Sequence, residues 1–446
     1  MKRNLIVFGI LLGLSGWMSM AAAQEEVFQR GVELGIGSRA LGMGGAYIGI
    51  ADDYSASFWN PAGLTQIRRL EGFGTLSYTQ RKNDAIDYLR SLRNVDELTS
   101  TNVNSIGLAY PVPTYQGSLV FSLGYHRIKP FDSSLQFGWL NTTPDDSVRQ
   151  DWSEIEEGSL NNWVFAGAVE VAPNFSLGAA FNVWSGTDTY QFSFVESDAP
   201  FDLFTFNKFR IDNDLTSTFS GYNFKLGGMY RPLSNFRLGF TIGTPVTYTV
   251  KDEWRDSERT TFDDNTIEEA TDRGSIEYKI RSPFSFGAGA ALNVANLLLA
   301  ASVENNDWSQ IRYTSEPPFA GVSKNEANEE LVRKYRNTTR YHLGAEFTLP
   351  LIDLQLRGGY FYDPTPLGPE FFEGGRIPDD ANREFFTAGV GIFLDKQVRL
   401  DVGVIHGLWQ DYKDPLTDFV NDTDDDLPLA EKITFNKLFA ALAFRF

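Results

Sequence analysis

The stretch IDLQLRGGY, residues 352–360, decides the fold class of this chain of 446 residues. Ile352, Leu354 and Leu356 share one face of an extended strand, and the intervening Asp, Gln and Arg side chains point the other way. Alternation with a period of two residues predicts a β-strand with one apolar and one polar face. Similar patterns recur at 224–231, 236–243, 341–349 and 398–404.

The same pattern predicts fourteen strands, and their connections alternate strictly between tight turns such as Pro350-Leu351 and long segments such as 129–160, 193–215 and 251–274. A soluble β-sandwich has no reason to alternate in this way, whereas outer-membrane barrels have short turns on one side and long loops on the other. We therefore expect an all-β fold, a transmembrane antiparallel up-and-down β-barrel of about 14 strands. The strands are predicted near 71–81, 103–112, 116–128, 161–172, 174–192, 216–231, 235–250, 275–293, 296–312, 337–349, 352–362, 384–394, 397–411 and 432–446.

The N-terminus has the pattern of an export signal. Lys2 and Arg3 precede the apolar run Leu5–Leu14, and small residues follow at 21–23, so residues 1–23 are predicted to be a signal peptide. After residue 24 the sequence contains no apolar run of about 18 residues, the length that a transmembrane helix needs. Together with a last strand that ends in Phe446, these features predict a multi-pass barrel in a bacterial outer membrane, with both termini on the periplasmic side.

Composition excludes several classes of function. A net charge of -19 and a pI near 4.7 argue against nucleic acid, and the absence of Cys excludes thiolate chemistry. The three His residues lie in separate predicted strands, and no Gly-x-Ser-x-Gly motif is present. Gly35–Ala40 imitates a dinucleotide fingerprint without a βαβ unit, and Asn421–Asp426 lacks the Gly and Glu of a calcium loop. We expect no enzyme, no cofactor and no metal.

Residues 24–70 precede the first predicted strand and are too apolar to be a disordered tail. A barrel of fourteen strands is wide enough to leave an open lumen, so this segment is predicted to fold back as a plug, followed by the barrel at 71–446. Within it, Asp52, Asp53 and Arg39 are expected to pair with lumen charges such as Arg357, Arg399 or Asp401. Asn60-Pro61 is expected to form a turn.

Asn60-Pro61-Ala62, in the stretch GSRALGMGGAYIGIADDYSASFWNPAGL at 37–64, resembles the hatch of the FadL/TodX family of hydrophobic-compound transporters. The resemblance implies an N-terminal hatch inside the barrel and passive, gated uptake of long-chain fatty acids or hydrocarbons. Ligands would leave sideways near a kinked third strand, although glycine is too common in all the strands to locate a kink. Predicted hatch and gating residues are Asn60, Pro61, Ala62, Asp52 and Asp53.

The expected partners are hydrophobic small molecules, together with outer-membrane lipid and lipopolysaccharide. An apolar site for ligands would require hydrophobic side chains in the outer loops, and the candidates are Phe201, Leu203, Phe204 and Phe206. An aromatic girdle at the membrane interface would need the same residue types.

Two other functions stay open. PorV-like barrels share the hatch motif and act as structural or shuttle components of a protein-secretion system, with protein partners. A general diffusion porin is the third possibility, and the apolar hatch argues against it.

Overall fold

The computed structural model describes residues 31–87, 91–142, 147–198, 206–372, 375–413 and 429–446. The predicted signal peptide, residues 24–30 of the predicted plug and the segment Asn421–Asp426 lie outside the described residues. The strands are β1 Glu71–Asp87, β2 Leu92–Val112, β3 Leu119–Pro130, β4 Ser133–Thr142, β5 Ser147–Ala172, β6 Phe175–Asp198, β7 Phe206–Leu233, β8 Phe236–Gly243, β9 Thr247–Phe262, β10 Ile267–Arg281, β11 Ser285–Val294, β12 Leu297–Asp307, β13 Arg312–Tyr313, β14 Asn337–Leu349, β15 Leu354–Asp363, β16 Arg383–Phe393, β17 Val398–Lys413 and β18 Leu429–Arg445.

Fourteen of these strands close an antiparallel barrel, as predicted. Each strand pairs with the next in the order β1-β2-β3-β5-β6-β7-β8-β11-β12-β14-β15-β16-β17-β18, and β18 pairs with β1. The closed ladder satisfies the backbone polar groups within the wall, which the interior of a bilayer requires. The predicted tight turns lie together at one end of the barrel, which we call the turn end; the opposite end is the loop end.

The remaining four strands extend the wall at the loop end. β4 pairs with the far half of β5, and the hairpin β9–β10 continues the sheet beside β7. The sequence predicted continuous strands at 235–250 and 275–293, and this was wrong. Each breaks at a proline, Pro245 or Pro283, directly beyond the last barrel pair Gly243↔Ser285, because proline has no N–H to donate to a ladder.

The segments that the sequence predicted as long connections are largely β-strand in the structure. They differ in pattern from the other strands because the apolar face of the wall changes from the outside to the inside along the barrel axis. In β7 the outward residues Tyr222, Phe224 and Leu226 are exposed and apolar, whereas the outward residues near the loop end are Lys208, Arg210, Asp212 and Asp214. The inward face changes in the opposite sense, from Asn223, Lys225 and Gly227 to the buried Ile211, Leu215 and Phe219. The apolar outer band suits lipid, and the loop end extends beyond it into water.

The helices are short. Two lie in the N-terminal segment, Ser38–Gly42 and Ala56–Trp59, and one, Lys324–Lys334, lies at the loop end. Short 3-10 helices span Pro61–Gln66, Trp308–Gln310, Pro369–Phe371 and Asp379–Ala381. Among the described residues, every helix is too short or too polar to cross a bilayer.

Residues 31–70, called the hatch below, fill the lumen. Their apolar side chains form the centre of the largest buried cluster, which includes Met43, Tyr47, Ile50, Tyr54 and Trp59. Wall residues such as Val164, Ala180 and Met229 complete it. The core of this barrel is therefore a contact between the hatch and the wall.

Candidate functional site

The Asn60-Pro61 turn joins the hatch to the wall. Asn60 is fully buried, and its side-chain amide donates to Ile48 O of the hatch at 3.0 Å and to Gly228 O of β7 at 3.1 Å. Its Oδ1 accepts from Ala62 N at 3.2 Å, and Pro61 begins the 3-10 helix. One asparagine thus satisfies backbone groups on both sides of the contact, a use for which a carboxylate or an apolar side chain has no donors.

The wall meets the hatch through glycine. At nine glycines of the wall, a side chain would overlap or press against hatch atoms. At Gly359, for example, a Cβ would lie 2.2 Å from Gly44 N. At seven of these positions the nearest atoms include hatch backbone, and at Gly107 and Gly124 the nearest hatch group is the ring of Tyr54. Only glycine permits so close an approach to the wall. We call this set the glycine collar: it comprises Gly107, Gly124, Gly178, Gly227, Gly239, Gly289, Gly344, Gly359 and Gly389, from nine barrel strands.

A chain of buried ion pairs crosses from the hatch to the wall. Arg39 makes a bidentate pair with Glu346 of β14 at 2.8 and 2.7 Å and also pairs with Asp52. Glu346 is shared with Arg357 of β15 at 2.7 Å, and Arg357 reaches Asp401 of β17 at 2.6 Å. Alternating charges within hydrogen-bond distance stabilise one another where water is excluded, and removing one partner would leave an uncompensated buried charge.

The two adjacent acids of the hatch have different roles. Asp52 pairs with Arg39 and lies 3.3 Å from Arg237 of β8. Burial raises the pKa of Asp52, but the two guanidinium groups outweigh burial and hold this pKa below its ordinary value. Asp53 accepts hydrogen bonds from Tyr47 Oη at 2.8 Å and Ser55 N at 2.9 Å. These bonds stay inside the hatch, so Asp53 shapes the segment, while Asp52 also ties it to the wall.

A cavity of about 160 Å³ lies between the hatch and the loop end. Phe58 and Trp184 supply aromatic surface, and the hydrogen bond from Lys225 Nζ to Phe58 O, 2.6 Å long, places the ammonium group 5.1 Å from the centre of the Phe58 ring. Four cationic side chains line it, Lys129, Lys225, Arg340 and Arg383, against three acidic ones, Glu33, Glu304 and Asp363. The cavity therefore combines aromatic walls with a small excess of positive charge.

An arc of aromatic rings continues from the cavity along the hatch and the wall. Phe58 lies 5.1 Å from Trp59, and Phe361 stacks on Phe385 at 4.2 Å. Successive centroids along the arc are no more than 6.4 Å apart, within the range of favourable ring contacts. The aromatic arc comprises Tyr54, His126, Phe58, Trp59, His342, Phe361, Phe385, Trp409 and Phe435.

The wall divides between β2 and β3. Their pairing ends at Ser105↔His126, after which β2 stays with β1 and β3 stays with β5. β3 shifts register between Arg127 and Lys129 at this level, and an open groove of about 1010 Å³ begins there. Polar side chains line the groove, among them Ser100, Asn102, Arg127, Asp132 and Asn161. We call this opening between the strands the split.

Four of the five predicted hatch residues lie against the wall, whereas the bonds of Asp53 stay inside the hatch. Asn60, Pro61, Ala62 and Asp52 all lie at the contact with the wall. Of the proposed ligand contacts, Phe201, Leu203 and Phe204 lie outside the described residues, as does the side chain of Phe206. Sequence reasoning did not pair Arg39 with Glu346 or Asp52 with Arg237, and it did not identify the collar. The recurrence of glycine in nearly every strand was the available signal for the collar.

No group of three or more potential metal-ligating side chains occurs in the described part of the chain. Asn421–Asp426 lies outside that part.

Comparison with known proteins agrees with this geometry. Residues 31–437 match the family model of the outer membrane protein transport proteins (OMPP1/FadL/TodX). Similar solved structures include a FadL homologue from Pseudomonas aeruginosa, with 15% identity, 94% of this chain and 100% of that chain covered and a TM-score of 0.62. The P. putida toluene transporter TodX has 14% identity, 93% and 99% coverage and a TM-score of 0.60. No curated protein matches. The chain belongs to the OMPP1/FadL/TodX family of outer-membrane transport proteins.

Proposed function

We propose that this protein is a passive, gated channel for the uptake of long-chain fatty acids or related hydrophobic compounds across the outer membrane. The cavity above the hatch carries the proposal, because it offers aromatic surface and a surplus of cationic side chains in one enclosed place. An apolar chain would gain by leaving water for the aromatic surface, and a carboxylate head would be stabilised by the ammonium and guanidinium groups.

Lys225 is the cation best placed to receive an anionic head. Its Nζ is anchored by Phe58 O, and the Phe58 ring lies directly beneath it. Arg340 is occupied by Asp363 at 2.6 Å and is less available. The Lys225 site therefore favours an amphiphile with a carboxylate over a neutral hydrocarbon of the same size.

The route past the hatch follows from the packing. The glycine collar brings the hatch into close contact with the wall, whereas the split opens the wall beside His126. We propose that ligands leave through the split, and that Asp52, Asp53 and the Asn60-Pro61-Ala62 turn hold the hatch in the position that directs them there. Movement of the hatch on ligand binding would provide the gate.

The secretion role is not favoured, because the chain matches the family of outer membrane transport proteins and the similar structure TodX is described as a toluene transporter. Lipid and lipopolysaccharide remain expected neighbours of the apolar outer band.

The test compares Lys225→Met with Lys251→Met, whose lysine lies on the exposed face of β9. Cells lacking other uptake routes receive a radiolabelled long-chain fatty acid or toluene. We expect Lys225→Met to lower fatty-acid uptake about tenfold, a loss of roughly 1.4 kcal/mol, with toluene uptake unchanged.

Lys251→Met should match the unsubstituted protein with both ligands. Equal fatty-acid uptake by the two variants would refute the carboxylate site, and the absence of uptake of either ligand by the unsubstituted protein would refute the proposed function.

A further inference from the structure

The split ends at a cross-strand pair of glycines. Directly on its turn-end side, Gly107 of β2 lies opposite Gly124 of β3, two residues from the last pair Ser105↔His126. Neither glycine presents a side chain to the lumen. The wall at this level would consist of bare backbone if nothing packed behind it.

Tyr54 of the hatch fills that place. A Cβ on Gly107 would lie 1.8 Å from Tyr54 Cζ, and one on Gly124 would lie 1.2 Å from Tyr54 Oη. The ring is fully buried and stacks on Phe73 of β1 at 5.6 Å. The Tyr54 side chain thus packs against three consecutive strands, β1, β2 and β3, at the end of the split.

The hydroxyl of Tyr54 contacts both separating strands. Oη lies 3.0 Å from His126 Nε2 of β3 and 3.4 Å from Ile106 O of β2. The arrangement is satisfied when Nε2–H donates to Oη and the hydroxyl donates to the carbonyl. The other tautomer would leave an Nδ1–H buried without a hydrogen-bond partner, which is the more costly choice. The hydroxyl therefore bridges β3 to β2 where their own ladder stops.

Tyr54 is held in position from its backbone as well. Its N–H donates to Glu71 Oε1 at 3.0 Å, and Glu71 also accepts from Arg445 at 2.9 Å. Glu71 and Arg445 are opposite residues of β1 and β18, the pair that closes the barrel. This anchor at the seam holds the Tyr54 ring against β2 and β3.

We propose that Tyr54, with His126 as its hydrogen-bond partner, fixes how far the split extends down the wall and thereby limits the cross-section of the molecules that leave through it. The part that concerns selectivity rests on the proposed function; the part that concerns the strands does not. Tyr54 acts here as a positioning residue, since it sets the width of the opening by joining two strands.

The experiment compares Tyr54→Phe with Tyr47→Phe. Tyr47 is a second fully buried hatch tyrosine. Away from the split, its hydroxyl contacts Asp53 and Asp52 and accepts from Arg39. Each substitution removes one oxygen and keeps the ring. Hydrogen–deuterium exchange of purified protein is followed at residues 105–109 and 122–126.

Loss of one bridging hydrogen bond should speed exchange in both segments about fivefold to tenfold in Tyr54→Phe and leave it unchanged in Tyr47→Phe. His126→Leu in the Tyr54→Phe background should add little, because the two side chains share one interaction. Exchange in Tyr54→Phe that equals that in Tyr47→Phe would overturn the bridge.

Selectivity is measured as the ratio of uptake of a pyrene-labelled fatty acid to that of an unlabelled chain of equal length. The ratio should rise severalfold in Tyr54→Phe alone. If exchange rises and the ratio stays constant while the plain fatty acid is still taken up, the selectivity part is wrong. If the unsubstituted protein takes up neither ligand, the proposed function fails, and the exchange result still decides the bridge.

Discussion

Replacing Gly359 by alanine introduces one methyl group between the wall and the hatch. The new Cβ would lie 2.2 Å from Gly44 N and 2.3 Å from Met43 C, both backbone atoms that have no rotamer to change. A normal contact would require a separation of at least about 3.4 Å, so the hatch has to move by roughly 1 Å at this point. In a densely packed contact, an added carbon of this kind costs about 1–3 kcal/mol.

The displacement also strains three hydrogen bonds. Gly44 N donates to Thr387 Oγ1 at 3.0 Å, and that hydroxyl donates to Gly42 O at 3.1 Å. The Nδ1 atom of His342 lies 2.8 Å from Gly44 O. At about 1 kcal/mol each, partial loss of these bonds brings the total to about 3 kcal/mol, which lowers the ratio of docked to undocked hatch by roughly 100-fold.

The matched control is Gly358→Ala, one residue away. Gly358 faces outward, and a Cβ there would meet only Thr387 O, at 4.0 Å. Both variants should insert and migrate as folded barrels, because the strand ladder is untouched. In planar bilayers, we expect Gly359→Ala to show frequent openings and exchange-labile amides at 42–50. Gly358→Ala should stay closed, as should the unsubstituted protein. Equal conductance and equal protection in the two variants would refute the collar as the seal.

Two further predictions concern the gate and the loop end. A Cβ on Gly42 would lie 3.6 Å from Arg357 Cβ, a separation compatible with a disulfide. In this cysteine-free chain, Gly42→Cys/Arg357→Cys should therefore take up less fatty acid when oxidised than when reduced. The lost Arg357 ion pairs are common to both states, and uptake that is equal in both states contradicts a moving hatch. Burial raises the pKa of Asp252 in the β9–β10 hairpin to about 6. The stability that this carboxyl group contributes is therefore fully present below its unfolded pKa, about 3.9. It is lost as the pH rises through the folded pKa. Asp252→Asn should therefore stabilise the hairpin by about 2 kcal/mol at pH 7 and hardly at all at pH 4. The measurement is the protection of the hairpin amides from exchange, with the exposed Glu253→Gln as the control. An Asp252→Asn variant that is less protected than this control at pH 7 would contradict the predicted stabilisation.

The barrel was predictable because its signal is local. Within the apolar band, stretches such as 341–349 and 398–404 repeat the alternation of 352–360, and the tight turns contain residues such as Pro113, Pro173 and Pro350 that end strands. The loop-end strands were not predictable in the same way. There, the outward face is charged and the inward face is apolar, so that 251–274 has the composition of a surface loop although it forms a hairpin.

The contacts of the hatch show the same limit. Asn60-Pro61-Ala62 is a local turn and was predicted as one, and Asp52 was expected to meet a lumen charge. Its partner Arg237, and the partner Glu346 of Arg39, could not be chosen, because several lumen charges were equally possible in the sequence. The closure of the barrel selects among them, since it brings β8 and β14 to the same side of the hatch.

By itself, the sequence determined that fourteen alternating strands form a wall, and that an apolar, glycine-rich segment precedes them. Period, turn residues and an apolar face are properties of neighbours along the chain, so the sequence alone contains them. Only the tertiary structure decided which glycines receive the hatch, where β2 leaves β3 and why Tyr54 lies at that point. These features depend on the register of distant strands and on the rotation of the hatch within the ring, and residues hundreds of positions apart meet only once the barrel has closed.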